Sequence, residues 1–323
     1  GTIRSMRRGR GILHYGKDTV FVQHALPGER VKVRIGKRLH DGYSAGLTAV
    51  CKAHPERVSP PCPLYGRCGS CQLMHLSYEG QLRWKKEQIS REAKKAGLPL
   101  QVHDVIGMKD PYHYRNKMII GFGRDEKGQL CAGLYEEFTH HIVPYRRCLM
   151  HPEHGDDIIA TILTLMKKLR IEPYDERRRR GFLRHVLLRM THDGSAVLVT
   201  LVCSDDRFPA RKAFVSELVH RHPDIHTIVL NVNRRQTSVV LGQEERILYG
   251  PGIITDELLG HTFALSASSF YQINHLQCER LYAQAYALLQ PTEDMRVLDA
   301  YCGIGTIGLG IAGSIRALTG VEI

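Results

Sequence analysis

Residues 297–322 constrain the fold more than any other stretch. Val297-Leu298-Asp299-Ala300 reads as a short apolar strand ending in an acid, and Tyr301 to Thr306 as a Gly-rich turn. Ile307 to Ala312 then starts a helix, and Ala317–Val321 is a second strand that ends at Glu322. This β-loop-α-β order is the opening unit of a doubly wound α/β sheet, because two parallel strands need a crossover between them. Gly303 and Gly305 let the backbone come close to a ligand. Glu322 stands 23 positions beyond Asp299, where a carboxylate accepts hydrogen bonds from both ribose hydroxyls of an adenosine. The Gly303-x-Gly305-x-x-Gly308 pattern by itself suits a nicotinamide cofactor equally well.

Cysteine spacing is the second constraint. Cys62, Cys68 and Cys71 fall in a Pro/Gly-rich loop over 58–76, and Cys148 follows the run Val143 to Arg147. Three thiolates on one tight loop and a distant fourth suit a 4Fe-4S cluster; four thiolates also hold zinc. The five-then-two spacing is not the pair-of-pairs of a zinc knuckle, so the cluster is favoured. With all four ligands from cysteine no iron site is open, and the expected role is structural. The remaining Cys51, Cys131, Cys203 and Cys278 read as small buried hydrophobes, and Cys302 as a small residue in a crowded turn.

Upstream, residues 1–57 look all-β. Thr19–Gln23 and Arg30–Ile35 are β-rich runs split by Leu26-Pro27-Gly28, and Asp41-Gly42 marks another turn. Short strands with Gly-rich turns suggest a small barrel of the oligonucleotide-binding type. Ser77 caps a helix from Tyr78 to Ala96, closed by Gly97 and Pro99. Val186–Met190 and Ala196–Val202 flank His192-Asp193-Gly194 as a hairpin. A helix near Pro209–Arg221 precedes an apolar strand at Ile225–Asn231, so 105–265 reads as α+β, with Arg177–Arg180 in an exposed loop. Residues 274–289 form a helix whose apolar face is Leu281, Tyr282, Ala285, Leu288 and Leu289, stopped by Pro291. The expected division is 1–57, 58–265 and 266–323.

Net charge is +12 over 323 residues, which points to a polyanion partner, nucleic acid before membrane. No run approaches the ~18 apolar residues of a membrane span, and the start has no signal-peptide pattern. Nine cysteines in a chain this long are no disulfide framework, and a cytoplasmic setting keeps them reduced.

Taken together, the chain resembles the RNA uracil-5 methyltransferase family, most of all the branch acting on bacterial 23S rRNA. The motifs are Asp299 to Thr306, Gly320-Val321-Glu322, Tyr114-Arg115-Asn116-Lys117, Ser268 to Asn274, and the four cysteines. The resemblance implies an N-terminal TRAM domain, an α+β middle domain and the start of a Rossmann-like methyltransferase domain. It implies S-adenosyl-L-methionine as cofactor, contacted by Gln272, Tyr301, Thr306 and Glu322, with Asp299, Gly303 and Gly305 shaping the turn. Thr306 departs from the Asn of relatives. Phe270 is implied to wall the target base, Arg115 and Lys117 to contact RNA phosphate, and Cys62, Cys68, Cys71 and Cys148 to hold the cluster. The protein is expected to act as a monomer without a membrane.

In this family a Cys thiolate adds to carbon 6 of the flipped-out uracil, carbon 5 takes the methyl group from the sulfonium of the cofactor, a carboxylate removes the carbon-5 proton, and the thiolate leaves carbon 6. Both groups lie beyond the second strand of the sheet in the family. No catalytic residue is therefore named here, and the chain is expected to be C-terminally truncated and inactive by itself. Two alternatives share features: a truncated, non-catalytic RNA-binding protein, and a tRNA methylthiotransferase-like iron–sulfur enzyme. The latter needs three residues, not five, between its first two cysteines.

Overall fold

The computed structural model describes residues 1–323. The chain forms two compact units, Gly1–Pro111 with Tyr135–Thr139, and Tyr112–Leu134 with His140–Ile323.

The first unit is built on five strands, β1 (Ser5–Arg7), β2 (Arg10–Tyr15), β3 (Asp18–Gln23), β4 (Arg30–Leu39) and β5 (Gly42–Lys52), in the order β1-β2-β3-β5-β4. All neighbours are antiparallel except β3 and β5. A bridge from Thr2 to Arg30 ties the segment before β1 to the start of β4, the opposite edge strand. Period-two alternation turns Leu13, Val20, Val22 and Val31 inward with Ile3 and Ala25. It leaves Arg30, Lys32, Arg34, Lys37 and Arg38 exposed. Beneath the sheet, Glu29 is fully buried and its carboxylate is gripped by Arg57 through Nε and Nη2 at 2.5 and 2.7 Å. Helix α1 (Tyr78–Lys95) starts where expected: the Ser77 hydroxyl accepts the Gly80 N–H at 3.1 Å, and Gly97 takes φ +69° just past its end.

The second unit holds a seven-stranded sheet, ordered β12-β11-β10-β9-β6-β7-β8. Its elements are β6 (Lys117–Arg124), β7 (Leu130–Tyr135), β8 (Ile142–Pro144), α2 (Glu153–Leu169), β9 (Leu183–Met190), β10 (Val197–Cys203), α3 (Arg211–Arg221), β11 (Ile225–Val232) and β12 (Glu244–Tyr249). The β9–β10 hairpin turns at Asp193-Gly194 as the sequence predicts, and α3 is the crossover between parallel β10 and β11. Ile158, Ile162 and Leu165 of α2 and Phe214 and Leu218 of α3 pack on Val186, Leu188, Val199 and Leu201. The alternate strand positions face the other way, and there Leu198 meets a second core. That core comes from the hairpin β13 (Ile254–Leu258) and β14 (His261–Leu265), with Tyr271 and helix α4 (His275–Leu289).

The chain then forms β15 (Arg296–Ala300), α5 (Thr306–Leu309), a single 3-10 turn at Ala312–Ser314, and β16 (Ala317–Val321). β15 and β16 are parallel, with Asp299 opposite Gly320. Three sequence expectations are corrected here. The buried row of α4 is His275, Cys278 and Tyr282, whereas Leu281 and Leu288 lie off that row and are exposed, Leu288 at 85%. The helix expected from Ile307 to Ala312 has only four residues from Thr306, because Gly308 and Gly310 interrupt it at a cost of about 1 kcal/mol each against Ala. Cys51 is exposed on β5, not buried; Cys131, Cys203 and Cys278 are buried.

Candidate active site

Two segments distant in sequence meet in the second unit. Asn116 donates its side-chain N–H to the Gln272 carbonyl at 2.9 Å, and its backbone N–H to the Ile273 carbonyl at 3.0 Å. Arg115 bridges Asn274, whose Oδ1 in turn caps α4 by accepting the Gln277 N–H at 3.1 Å. From β9, the fully buried Arg189 donates through Nη2 to the Ser269 carbonyl at 2.6 Å. The Arg115–Lys117 and Ser268–Asn274 motifs thus form one constellation. Ser266 and Ser269 hydroxyls, 2.9 Å apart, tighten the turn before Phe270. Phe270 itself is 71% exposed, while Tyr271 is buried in the second core.

Three cations, Arg115, Lys117 and Arg189, gather here. Lys117 lies directly across from Arg189 in the β6–β9 ladder. Burial, and then the Arg189 charge, lower the Lys117 ammonium below its ordinary pKa. Burial pushes the Arg189 guanidinium down to about 10, against a smaller opposing pull from Tyr271 and Asp256. Arg189 Nε and Nη1 and Arg115 Nε are buried without acceptors. Such a cluster favours an approaching anion.

The Gly-rich turn lies beside α4. Thr306 Oγ1 is 2.9 Å from the Tyr282 phenol, which also feels the Gln272 side chain, and Tyr286 donates to the Ile307 carbonyl at 2.7 Å. Gln272 and Thr306 are therefore gathered around Tyr282. Within the turn, Asp299 Oδ2 accepts the Gly308 N–H at 3.0 Å, and a Cβ on Gly308 would fall 2.8 Å from that oxygen. Glu322 Oε2 accepts the Gly303 N–H at 2.8 Å. Gly303 and Gly305 are left-handed, at φ +55° and +81°, and a Cβ on Gly303 would project into open space. Tyr301 is also left-handed, φ +63°, and 81% exposed. Asp299 orders the turn internally, whereas Tyr301, Gly303 and Glu322 face outward from it. An open Gly-rich turn flanked by a carboxylate and an exposed aromatic ring fits an adenosine-bearing cofactor.

Cys62, Cys68 and Cys71 share one half-buried loop of the first unit. The loop is wound by Tyr65 N–H to Cys62 O at 3.1 Å and Cys68 N–H to Leu64 O at 2.9 Å. Behind it the Tyr65 phenol meets His75 Nδ1 at 2.5 Å, and burial pushes the His75 imidazole down to about 4. Cys148 belongs to the second unit, before α2, where its N–H donates to Asp156 Oδ2 at 2.8 Å. Burial raises the Cys148 thiol pKa, but hydrogen bonding and charge from His151 hold it below the ordinary value. Soft, reduced thiols of this kind fit iron–sulfur or zinc ligation.

The sequence reading does not single out Arg189 or Tyr282. Arg189 has one local signal, a cation inside the apolar run Val186–Met190. Tyr282 has none, since helical spacing alone gives it a core role.

No protein-family model matches the chain. An RNA methyltransferase of Listeria innocua serovar 6a, described as uncharacterized, is 38% identical over 317 residues, covering 98% of this chain and 69% of the relative. A like-named protein of Halalkalibacterium halodurans is 37% identical over 318 residues, with the same coverage of 98% and 69%. Among solved structures, the tRNA (uracil-54, C5)-methyltransferase of Pyrococcus abyssi, in complex with S-adenosyl-L-homocysteine, matches with a TM-score of 0.74. At 22% identity over 96% of this chain and 70% of that one, it speaks to the fold alone. At 37–38% identity over 98% of its own length, the chain belongs to the RNA methyltransferase family.

Proposed function

We propose that the protein uses S-adenosyl-L-methionine to methylate carbon 5 of a uridine in 23S rRNA. The observation that carries the reading is the open turn at Gly303, with the Glu322 carboxylate and the Tyr301 ring beside it and Gln272 and Thr306 gathered at Tyr282. Glu322 would accept hydrogen bonds from the ribose hydroxyls, and Tyr301 would lie against the adenosine. When bound, the cofactor's sulfonium supplies an electrophilic methyl group.

RNA reaches this site along cations. Arg115 and Lys117 would take phosphate oxygens, and Phe270, exposed on a turn held by Arg189, would wall the flipped-out base. The first 57 residues would serve as a TRAM-like barrel presenting the basic face of β4. Cys62, Cys68, Cys71 and Cys148 would hold a structural 4Fe-4S cluster, with zinc the alternative. Broad visible absorption and iron in anaerobically purified protein would favour the cluster; colourless protein with stoichiometric zinc would replace it.

Deletion of the gene should remove a 5-methyluridine from 23S rRNA in nucleoside mass spectrometry. The structural neighbour acts on tRNA, so tRNA is the control. Loss of 5-methyluridine from tRNA with 23S rRNA unchanged would move the substrate, and no loss from either would overturn the proposal.

A further inference from the structure

The first unit contains a groove of about 650 Å³, within the range of small-ligand sites. Arg7, Arg8 and Arg10 line one side, and Phe138, Trp84 and Phe21 supply aromatic surface. The Phe138 ring is 84% exposed, and the Arg10 guanidinium lies over it at 4.9 Å from the centroid. Phe138 also sits at φ +61°. A bulky residue in the left-handed region is a backbone outlier that costs on the order of 1 kcal/mol or more. Burial of the ring would offset this cost, but the ring is in solvent.

The strain is imposed by the turn. The Thr139 N–H donates to the Glu136 carbonyl at 3.1 Å, leaving Glu137 and Phe138 at the centre of the turn. The Glu137 carboxylate is fixed by Arg10 at 3.1 Å and by the Gln23 side-chain amide at 3.1 Å. On the other flank, Gly69 packs so closely that a Cβ there would fall 2.8 Å from Glu137 Cα. The turn therefore displays Phe138 rigidly beside three arginines. Of the acids lining the groove, Glu137 is held by Arg10 at 3.1 Å, and the exposed Asp41 lies 3.9 Å from the exposed Arg7, a contact that solvent screens and that leaves Arg7 able to meet a phosphate.

An exposed aromatic platform, a stacked guanidinium and further exposed arginines are the parts that hold an unpaired nucleotide: stacking for the base, cations for the phosphate. We infer that this groove binds one unpaired nucleotide of the RNA substrate, its base on the Phe138–Arg10 platform and its phosphate on Arg7 and Arg8. The groove belongs to the first unit, whereas the Gly303 turn and Phe270 belong to the second. This inference rests on the RNA-substrate reading above.

Trp84, the sole tryptophan of the chain, lines the groove and reports on it directly. Titration of the full chain with a short single-stranded oligouridylate should quench Trp84 fluorescence, and a duplex of equal length should not. Phe138→Asn relieves the left-handed strain, so it should raise the unfolding midpoint while weakening oligonucleotide binding about tenfold, within the range for one lost base–aromatic stack. Phe138→Tyr should retain binding. Arg8→Gln should weaken binding and reduce the salt slope by about one. Parent-level affinity in Phe138→Asn, with RNA still bound, would overturn this site and leave the RNA reading standing. Quenching by an acidic peptide in place of RNA would make the groove a protein-docking site and overturn the inference. Failure of the parent chain to bind any RNA would remove the reading on which it rests.

Discussion

Arg189 Nη2 donates to the Ser269 carbonyl at 2.6 Å, joining the middle of the seven-stranded sheet to the turn that carries Phe270 and Gln272. The bond holds a fully buried guanidinium whose Nε and Nη1 lack acceptors. Each unsatisfied buried donor costs about 1–3 kcal/mol, and desolvating the charge costs several more. These outweigh the about 1.5–3 kcal/mol gained from one charge-assisted bond. Even with the attraction of Asp256 and Tyr271, Arg189 therefore adds little to stability. Arg189→Met should leave the denaturation midpoint unchanged or higher while weakening S-adenosyl-L-homocysteine binding about tenfold by calorimetry. A large fall in stability with normal cofactor affinity would give Arg189 a purely structural role.

Glu322 accepts the Gly303 N–H at 2.8 Å in an exposed position, so it is not needed to fill a core. Its removal should be nearly silent in stability, as for most surface substitutions. Glu322→Ala should nonetheless weaken S-adenosyl-L-homocysteine by at least tenfold, the loss expected of a charged group accepting from two hydroxyls. Glu322→Asp should recover part of that affinity. Unchanged affinity in Glu322→Ala would remove Glu322 from the cofactor site.

Local signals made the ends of α1 legible, since Ser77 and Gly97 act within one turn of the helix. The β9–β10 hairpin was equally plain from apolar runs around Asp193-Gly194, and the β15–β16 pair from two strands around a Gly turn. Helix α2 follows Pro152, which offers no side-chain cap, so the usual Ser/Thr/Asp/Asn start signal is missing even though Ile158, Ile162 and Leu165 are in helical register. Leu281 and Leu288 of α4 have the spacing of a buried stripe, but the second core covers the row of His275, Cys278 and Tyr282 instead, a choice made by tertiary packing. Most of the turn around Gly303 could be read from adjacent residues. The Arg189–Ser269 and Asn116–Gln272 bonds span 80 and 156 positions, a separation at which no local pattern reports a contact.

The Glu29–Arg57 pair gives the first unit a defined acid response. Burial would raise the Glu29 carboxyl pKa, but the Arg57 hydrogen bonds and the backbone N–H groups of Leu26 and His54 bring it below 4.5. A carboxyl with a folded pKa below its unfolded value contributes stability that is complete above about pH 4.5 and lost as pH falls through the folded pKa. Glu29→Gln leaves Arg57 without its counter-charge and should destabilise the unit by about 3 kcal/mol at pH 7. Urea denaturation should show the difference between Glu29→Gln and the parent shrinking as pH drops below 4.5. A difference constant from pH 7 to pH 3 would mean that the carboxylate charge contributes nothing.

His192 and Asp256 form the opposite case in the second unit. His192 Nδ1 lies 2.8 Å from Asp256 Oδ1, which also accepts the His192 and Glu257 N–H groups at 3.1 Å each. The His192 ring stacks on His275 with centroids 4.2 Å apart. Its pKa is raised above 6.5, chiefly by the Asp256 hydrogen bond and against a smaller desolvation cost. A histidine raised in the folded state stabilises fully below its unfolded pKa and loses that contribution as pH climbs through the folded value. Because the His192 side chain is 40% exposed, solvent screening reduces the contribution to about 1 kcal/mol. His192→Gln should therefore be destabilised by about this amount at pH 5.5, and the gap to the parent should narrow by pH 8.5. The β13–β14 hairpin, which carries Asp256 and packs against Tyr271, should show the same pH dependence in amide exchange. Protection of the hairpin amides that does not change between pH 5.5 and 8.5 would show that the pair does not secure it.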